Sequence, residues 1–247
     1  MIVRQEGHRW EIHFESQELA RWESFSRVFG PRVNLRKQGW WQTAPNSELW
    51  TIFVAEFAVR GGTALFDGVW QDAPKREEFV RRTSLAGSTD ELRAGLKSVT
   101  RFWQRQADAI EQCRRNTCVV RNCRFVLLGG VERIHGDIER RNEIRARCPA
   151  LGLKGTSDFL VSVGAVEDIA AIDTRVIACL KRHFGLTLTP GRVQSSLPLY
   201  LAVERGLHEA AEYCHISLAR LDRAVFQASG TSVLDFLLDP ERRYGDF

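Results

Sequence analysis

The chain has 247 residues, 44% of them hydrophobic and 27% charged, which is ordinary for a globular protein and enough for one large or two small packed domains. Its formal charge of +4, from 35 basic against 31 acidic side chains, permits a polyanionic partner without requiring one. No apolar run approaches the roughly 18 residues of a membrane span. The N-terminal MIVRQEGHRW also lacks a signal peptide's apolar stretch, so the expected protein is cytoplasmic with no membrane partner.

In chain order, residues 1–45 read as a small α/β addition. Trp10, Ile12 and Phe14 alternate with polar neighbours as a strand does, and Gln17 to Phe29 has helical spacing. Trp40 and Trp41 are packing residues, with stacking on a nucleic acid as the alternative. From Asn46 onward the pattern is almost wholly helical. Ser47 to Val59 is apolar nearly all round, the mark of a central buried helix, and Arg60-Gly61-Gly62 ends it. Further helices are predicted over Thr89–Val99, Phe102–Arg114 and Asp137–Arg147. The last lies among Arg133, Arg140, Arg141, Arg145 and Arg147, a cluster that suits a wet surface or a face for phosphates. Beyond Pro149 come two more helices, then Pro198–Tyr213, Leu218–Ala228 and Val233–Leu238. The whole reads as an all-α body, 46–230, between the addition and a C-terminal extension, 231–247.

The six cysteines form no C-x-x-C pair, which argues against a zinc ribbon or a thioredoxin-like site. Cys113, Cys118 and Cys123 recur every five residues; buried reduced thiols are the first reading and a metal the second. No side-chain metal site is expected. The lysines are only Lys37, Lys75, Lys97, Lys154 and Lys181, so a lysine inside a loop of small and apolar residues stands out.

That lysine lies in CPALGLKGTSDFLVSVGAVEDIAAIDTRVIACLKRHF, residues 148–184, which reads as helix, tight turn, helix, loop, helix. Thr156, Phe159, Leu160 and Val163 form one apolar stripe at helical spacing. Gly152 gives the turn backbone freedom or close approach. The amides that start the next helix, with its positive dipole end, favour a phosphate, so the turn suits a DNA backbone of any sequence. Lys154 sits on that first turn, where the dipole opposes its positive charge weakly. Asp173 precedes an apolar-spaced run and falls at a helix N-cap. Singly, Lys154 reads as a surface charge and Asp173 as a structural cap. Together, with Asp173 nineteen positions after the lysine, they form a constellation.

The constellation resembles that of the helix-hairpin-helix DNA glycosylases, whose hairpin reads leucine-proline-glycine-valine-glycine before the lysine. PALGLK keeps Pro149, Gly152 and Lys154, while Ala150 stands in place of the first hairpin glycine. The likeness is nearest to archaeal-type 8-oxoguanine DNA glycosylase/lyases, through KGTSDFLVSVG, IAAIDTRV, RFWQRQADAI and ISLARLDRAVFQASG, and spans about residues 46–230. The four-cysteine iron–sulfur loop of some members is absent from the sequence, since only Cys179 and Cys214 lie in that region.

The resemblance implies two helical subdomains with a cleft between them, and an enzyme that flips a modified nucleotide out of double-stranded DNA. It implies Lys154 as nucleophile, Asp173 as its partner carboxylate, and strand nicking as well as base release. Ala150 and Gly152 would hold a phosphate. Arg175, where relatives commonly carry histidine, would do the same. A monovalent cation on the hairpin's backbone carbonyls is also implied. Phe226 matches an aromatic that faces the base, with core packing its first reading here and stacking its second; Asp222 would cap a helix or reach a base edge. The default substrate is 8-oxoguanine, acted on by a monomer. The chain runs on through TSVLDFLLDPERRYGDF, where relatives use a terminal carboxylate for 8-oxoguanine. That motivates a second substrate, a bulky modified pyrimidine such as the glucosylated hydroxymethylcytosine of phage DNA, excised in defence. A third expectation, from another class, is a non-catalytic module that only grips DNA.

Overall fold

Residues 1–7, 9–60 and 64–239 are described by a computed structural model. Gly61 and Gly62, expected to end the Ser47–Val59 helix, lie outside the described residues, as do residues 240–247 of the expected C-terminal extension. In chain order the elements are β1 (Ile2–Glu6), β2 (Arg9–His13), α1 (Ser16–Phe29), α2 (Asn46–Ala58), α3 (Ala64–Trp70), α4 (Ala73–Arg82), α5 (Thr89–Lys97) and α6 (Trp103–Arg115). There follow β3 (Val120–Arg121), β4 (Arg124–Phe125), α7 (Asp137–Arg147), α8 (Gly152–Ser162), α9 (Thr174–Phe184), α10 (Pro190–Ser195), α11 (Leu197–Tyr213), α12 (Leu218–Ala228) and α13 (Ser232–Leu237). The chain divides into two units, one of residues 1–36 with 166–247 and one of residues 37–165.

In the first unit β1 and β2 form an antiparallel hairpin with Ile2 opposite His13 and Glu6 opposite Arg9. Its buried face meets α11 at a glycine: a Cβ on Gly206 would lie 2.9 Å from the Ile12 carbonyl oxygen. The N-terminal segment shares one aromatic core with α9. Trp22 of α1 stacks on Phe184 at 4.8 Å, and Phe14 meets the same ring edge-on at 5.1 Å. Large aromatic rings account for much of the area buried there.

In the second unit α2 is apolar around most of its circumference and is enclosed accordingly. Phe53 packs on Phe57 and Phe125 at 5.3 and 5.5 Å and edge-on against Phe159 of α8 at 5.9 Å. The one polar atom of Trp50, Nε1, donates to the Thr83 carbonyl at 2.7 Å, so the ring is buried without an unmet hydrogen bond. This core seats α8, with Phe159, Leu160 and Val163 completely buried along the expected stripe.

The arginine cluster around α7 is used inside this unit. Arg141 is fully buried and donates to Ser157 Oγ at 3.3 Å. Arg140 donates to the Ile134 and Ala165 carbonyls at 3.0 and 2.9 Å, and Arg147 to those of Leu127 and Gly129 at 2.9 and 2.7 Å. These three arginines fasten the two helices of the hairpin and their flanking turns; they do not form the phosphate-facing row that the charge pattern allowed.

Candidate active site

The turn between α7 and α8 is a short 3-10 segment, Pro149–Leu151, and Gly152 follows with φ of +67°. A Cβ there would meet nothing within 4 Å, so the glycine answers the left-handed backbone and not a close approach. Ala150, in place of glycine, sits in the right-handed 3-10 segment where a Cβ is at ease. The hairpin's carbonyl side is held by Arg60, whose Nη1 donates to Ala150 O at 2.9 Å and Nη2 to Leu151 O at 2.8 Å. Beneath it Cys148, which caps α7, brings its sulfur to 3.2 Å from that of Cys113 on α6. The five-residue cysteine spacing therefore joins nothing: Cys113 turns inward to Cys148, while Cys118 and Cys123 are exposed. Among the described residues no three His, Cys, Asp or Glu side chains gather as a metal site.

Lys154 lies on the first turn of α8 with its side chain 31% exposed, so the amine has a way out to solvent. It is ion-paired to Asp158, one turn further along the same helix and largely buried. Sequence reasoning passed over Asp158, although an acidic residue four positions from a lysine on a helix is a legible pair.

Asp173 belongs to the other unit. Its Oδ1 accepts from the backbone N–H of Arg175 at 2.8 Å and of Val176 at 2.9 Å, an N-cap of α9 made through one carboxylate oxygen. The extended segment before it is fixed by side chains of α10, α11 and α12. Glu204 accepts from Ala170 N at 3.0 Å, Asp222 from Ala171 N at 3.3 Å, and the Tyr200 hydroxyl from Ile172 N at 3.1 Å while donating to Ala170 O at 2.7 Å. Gln194 donates to the Ile172 carbonyl at 3.2 Å. Three consecutive amides are thus clamped just ahead of Asp173.

Asp222 departs from its sequence reading: it sits buried in the middle of α12 and turns its carboxylate onto the backbone amide of Ala171. Phe226 also departs from the packing reading. Its ring is 40% exposed, and the Arg175 guanidinium lies over it at 3.9 Å. Two residues read separately, one for a phosphate and one for a base, make a single cation–π stack at the start of α9.

Lys154 thus stands on the first turn of α8 in one unit, and Asp173 caps α9 in the other. The family model described as 8-oxoguanine DNA glycosylase matches residues 73–216, more than half of the chain. The chain belongs to the 8-oxoguanine DNA glycosylase family. It is a DNA glycosylase.

No curated protein matches the glycosylase's sequence. Among solved structures, the 8-oxoguanine DNA glycosylase of Methanocaldococcus jannaschii superposes with a TM-score of 0.65 at 20% identity, over 84% of this chain and 91% of that one. The same archaeal protein, described as a glycosylase/lyase in complex with 15mer DNA containing 8-oxoguanine, gives 0.59 at 20% identity, over 85% and 86%. The 8-oxoguanine DNA glycosylase of Thermotoga maritima gives 0.54 at 20% identity, over 85% and 88%. At this identity the likeness establishes the helix-hairpin-helix glycosylase fold. The residues of this glycosylase that sequence reasoning missed are Arg60, Asp158, Tyr200, Glu204 and Gln194. Of these only Asp158 left a local signal.

Proposed function

We propose that the glycosylase, acting as a monomer on double-stranded DNA, flips a modified nucleotide and cuts its glycosidic bond with Lys154 as nucleophile and Asp173 as partner carboxylate, 8-oxoguanine being the base released. The observation that carries this reading is a partly exposed primary amine on the first turn of the hairpin helix, in a chain with few lysines. Backbone gripping needs no such amine.

The attacking form is the neutral amine, so the pair with Asp158 opens and the ammonium gives its proton to solvent. Nζ then attacks C1′ of the sugar, and the C1′–N bond breaks with its electron pair leaving on the base, which takes up a proton. Asp173 stabilises the positive charge that builds on the sugar ring. Loss of a proton from the nitrogen and opening of the ring give a Schiff base between Nζ and C1′. Removal of a C2′ proton expels the 3′ phosphate and nicks the strand, and hydrolysis of the imine restores Lys154. The amides around Ala150 and Gly152, with Arg175, would hold the neighbouring phosphates.

Borohydride reduces a Schiff base to a stable bond, so it should trap the protein on a duplex containing 8-oxoguanine. Lys154→Ala should abolish the trapped species; equal trapping would remove Lys154 from the mechanism. Asp173→Asn should still fold, because asparagine caps a helix as well as aspartate does, and should lose about 10²- to 10⁴-fold in base release. A panel of duplexes, each with one modified base, then settles the substrate: release of a bulky pyrimidine but not of 8-oxoguanine would overturn the base named here.

A further inference from the structure

Arg60 is the residue that the hairpin carbonyls receive where the fold family leads one to expect a metal cation. Its two terminal nitrogens reach consecutive carbonyl oxygens, Ala150 O and Leu151 O, at 2.9 and 2.8 Å, a forked geometry that a guanidinium offers and a lysine ammonium does not. The guanidinium lies over the Phe57 ring at 4.3 Å. It also packs on Gly155, the residue after Lys154, where an added Cβ would stand 3.1 Å from Nη2. Its own carbonyl oxygen accepts from Thr100 Oγ1 at 3.3 Å and from Gln106 Nε2 at 3.5 Å, so backbone and side chain are both anchored. Burial works against its charge, and Glu56, one turn back on α2, works for it. A second cation on the same oxygens would sit against a fixed positive charge, and the oxygens have already turned to meet Arg60.

We propose that Arg60 is a built-in cation for the DNA-gripping hairpin, holding its carbonyls from within so that the turn keeps its shape without a bound metal ion. The role is one of positioning, and it rests on the reading of this hairpin as the phosphate grip. Two hydrogen bonds from a charged donor to one turn are enough to fix which way its amides point, and Lys154 lies on the first turn of the helix that those amides open.

The test uses the full chain and a short unmodified duplex, with affinity read by fluorescence anisotropy. Binding of wild-type protein at fixed ionic strength should be the same in potassium, sodium or tetramethylammonium chloride, the last ion being too large and too weakly coordinating to sit on carbonyl oxygens. Arg60→Ala should bind about tenfold more weakly or worse, and millimolar guanidinium, far below denaturing levels, should restore much of the loss. Arg60→Lys should recover little, lacking the fork. A wild-type affinity that collapses when tetramethylammonium replaces potassium would overturn the proposal in favour of a coordinated metal ion, and that measurement needs no variant. An Arg60→Ala protein with native circular dichroism and undiminished affinity would overturn it too. Failure of the wild type to bind duplex in any of the salts would instead sink the phosphate grip itself, so the two failures are told apart.

Discussion

Tyr200 makes two hydrogen bonds to the segment that delivers Asp173, accepting from Ile172 N and donating to Ala170 O, and it is fully buried. Tyr200→Phe keeps the ring's packing and leaves both backbone groups without this partner. The expected cost is about 1–3 kcal/mol of stability in urea unfolding, with base release falling further than stability alone explains, because the amides ahead of Asp173 loosen. An unchanged midpoint would show that the hydroxyl does not hold the segment. The cysteines give a second prediction at this scale. The bond to Cys148, and then burial, push the Cys113 thiol up, burial pushes Cys179 up to about 12, and burial pushes Cys214 up to about 11. Cys118 and Cys123 are exposed. Brief iodoacetamide treatment at about pH 8 should therefore label those two of the six, counted by mass spectrometry. Equally fast labelling of Cys113 or Cys179 would contradict the burial. At this scale the sequence showed Gly152, Lys154 and Asp173 because their spacing is local. Arg60 and Tyr200 were invisible, since Arg60 meets a carbonyl 90 positions away and Tyr200 one 30 away.

Among elements, the bounds of α12 coincide with the range its apolar spacing gives, and α2 and α6 lie within one residue of theirs, while α7 matches the range read from its run of charge. What escaped has weak patterning. α4 buries only Phe79 along its ten residues, and the β3–β4 hairpin turns through Asn122 and Cys123, both at positive φ, where cysteine is not a residue that announces such a turn. The contact of α11 with β2 permits a direct test. Gly206→Ala would drive a methyl group to 2.9 Å from a backbone oxygen, which cannot move like a flexible side chain, so a loss of about 1–3 kcal/mol is expected. No loss would mean the hairpin stands off the helix. The end of α9 gives a pH dependence. His183 is buried, and its burial, with Arg182 and Arg21 nearby, lowers its pKa below 6.5 despite Asp235 at 3.3 Å. The unfolded chain then takes up the proton first. Stability from this group is complete above about pH 6.5 and is lost as pH falls below that value. His183→Gln should have a flatter thermal midpoint than wild type between about pH 8 and pH 5.5; parallel curves would assign the dependence to other groups.

Across the whole molecule, arginine carries most of the positive charge, and much of it is turned toward the protein's own carbonyls. Arg21 donates to the carbonyls of His183 and Leu238, Arg60 to the hairpin, Arg114 to Gly87, Arg140 and Arg147 to the turns around α7, and Arg220 to Gly30 and Val33. A guanidinium suits such contacts because it offers several donors from one planar group. The sequence cannot distinguish such an arginine from one awaiting a phosphate, since both are simply basic residues near glycines and turns. The difference is measurable. If the phosphate grip consists mainly of backbone amides with few free cations, the slope of log affinity against log salt for an unmodified duplex should be shallow, about −3 to −5. A slope near −10 would require about as many neutralised phosphates as some large DNA-binding proteins make, more than a grip of backbone amides supplies. Arg140→Gln separates the two cases: an internal fastener should lower stability and leave the slope unchanged, whereas a phosphate contact should lower the slope by about one and leave stability nearly intact.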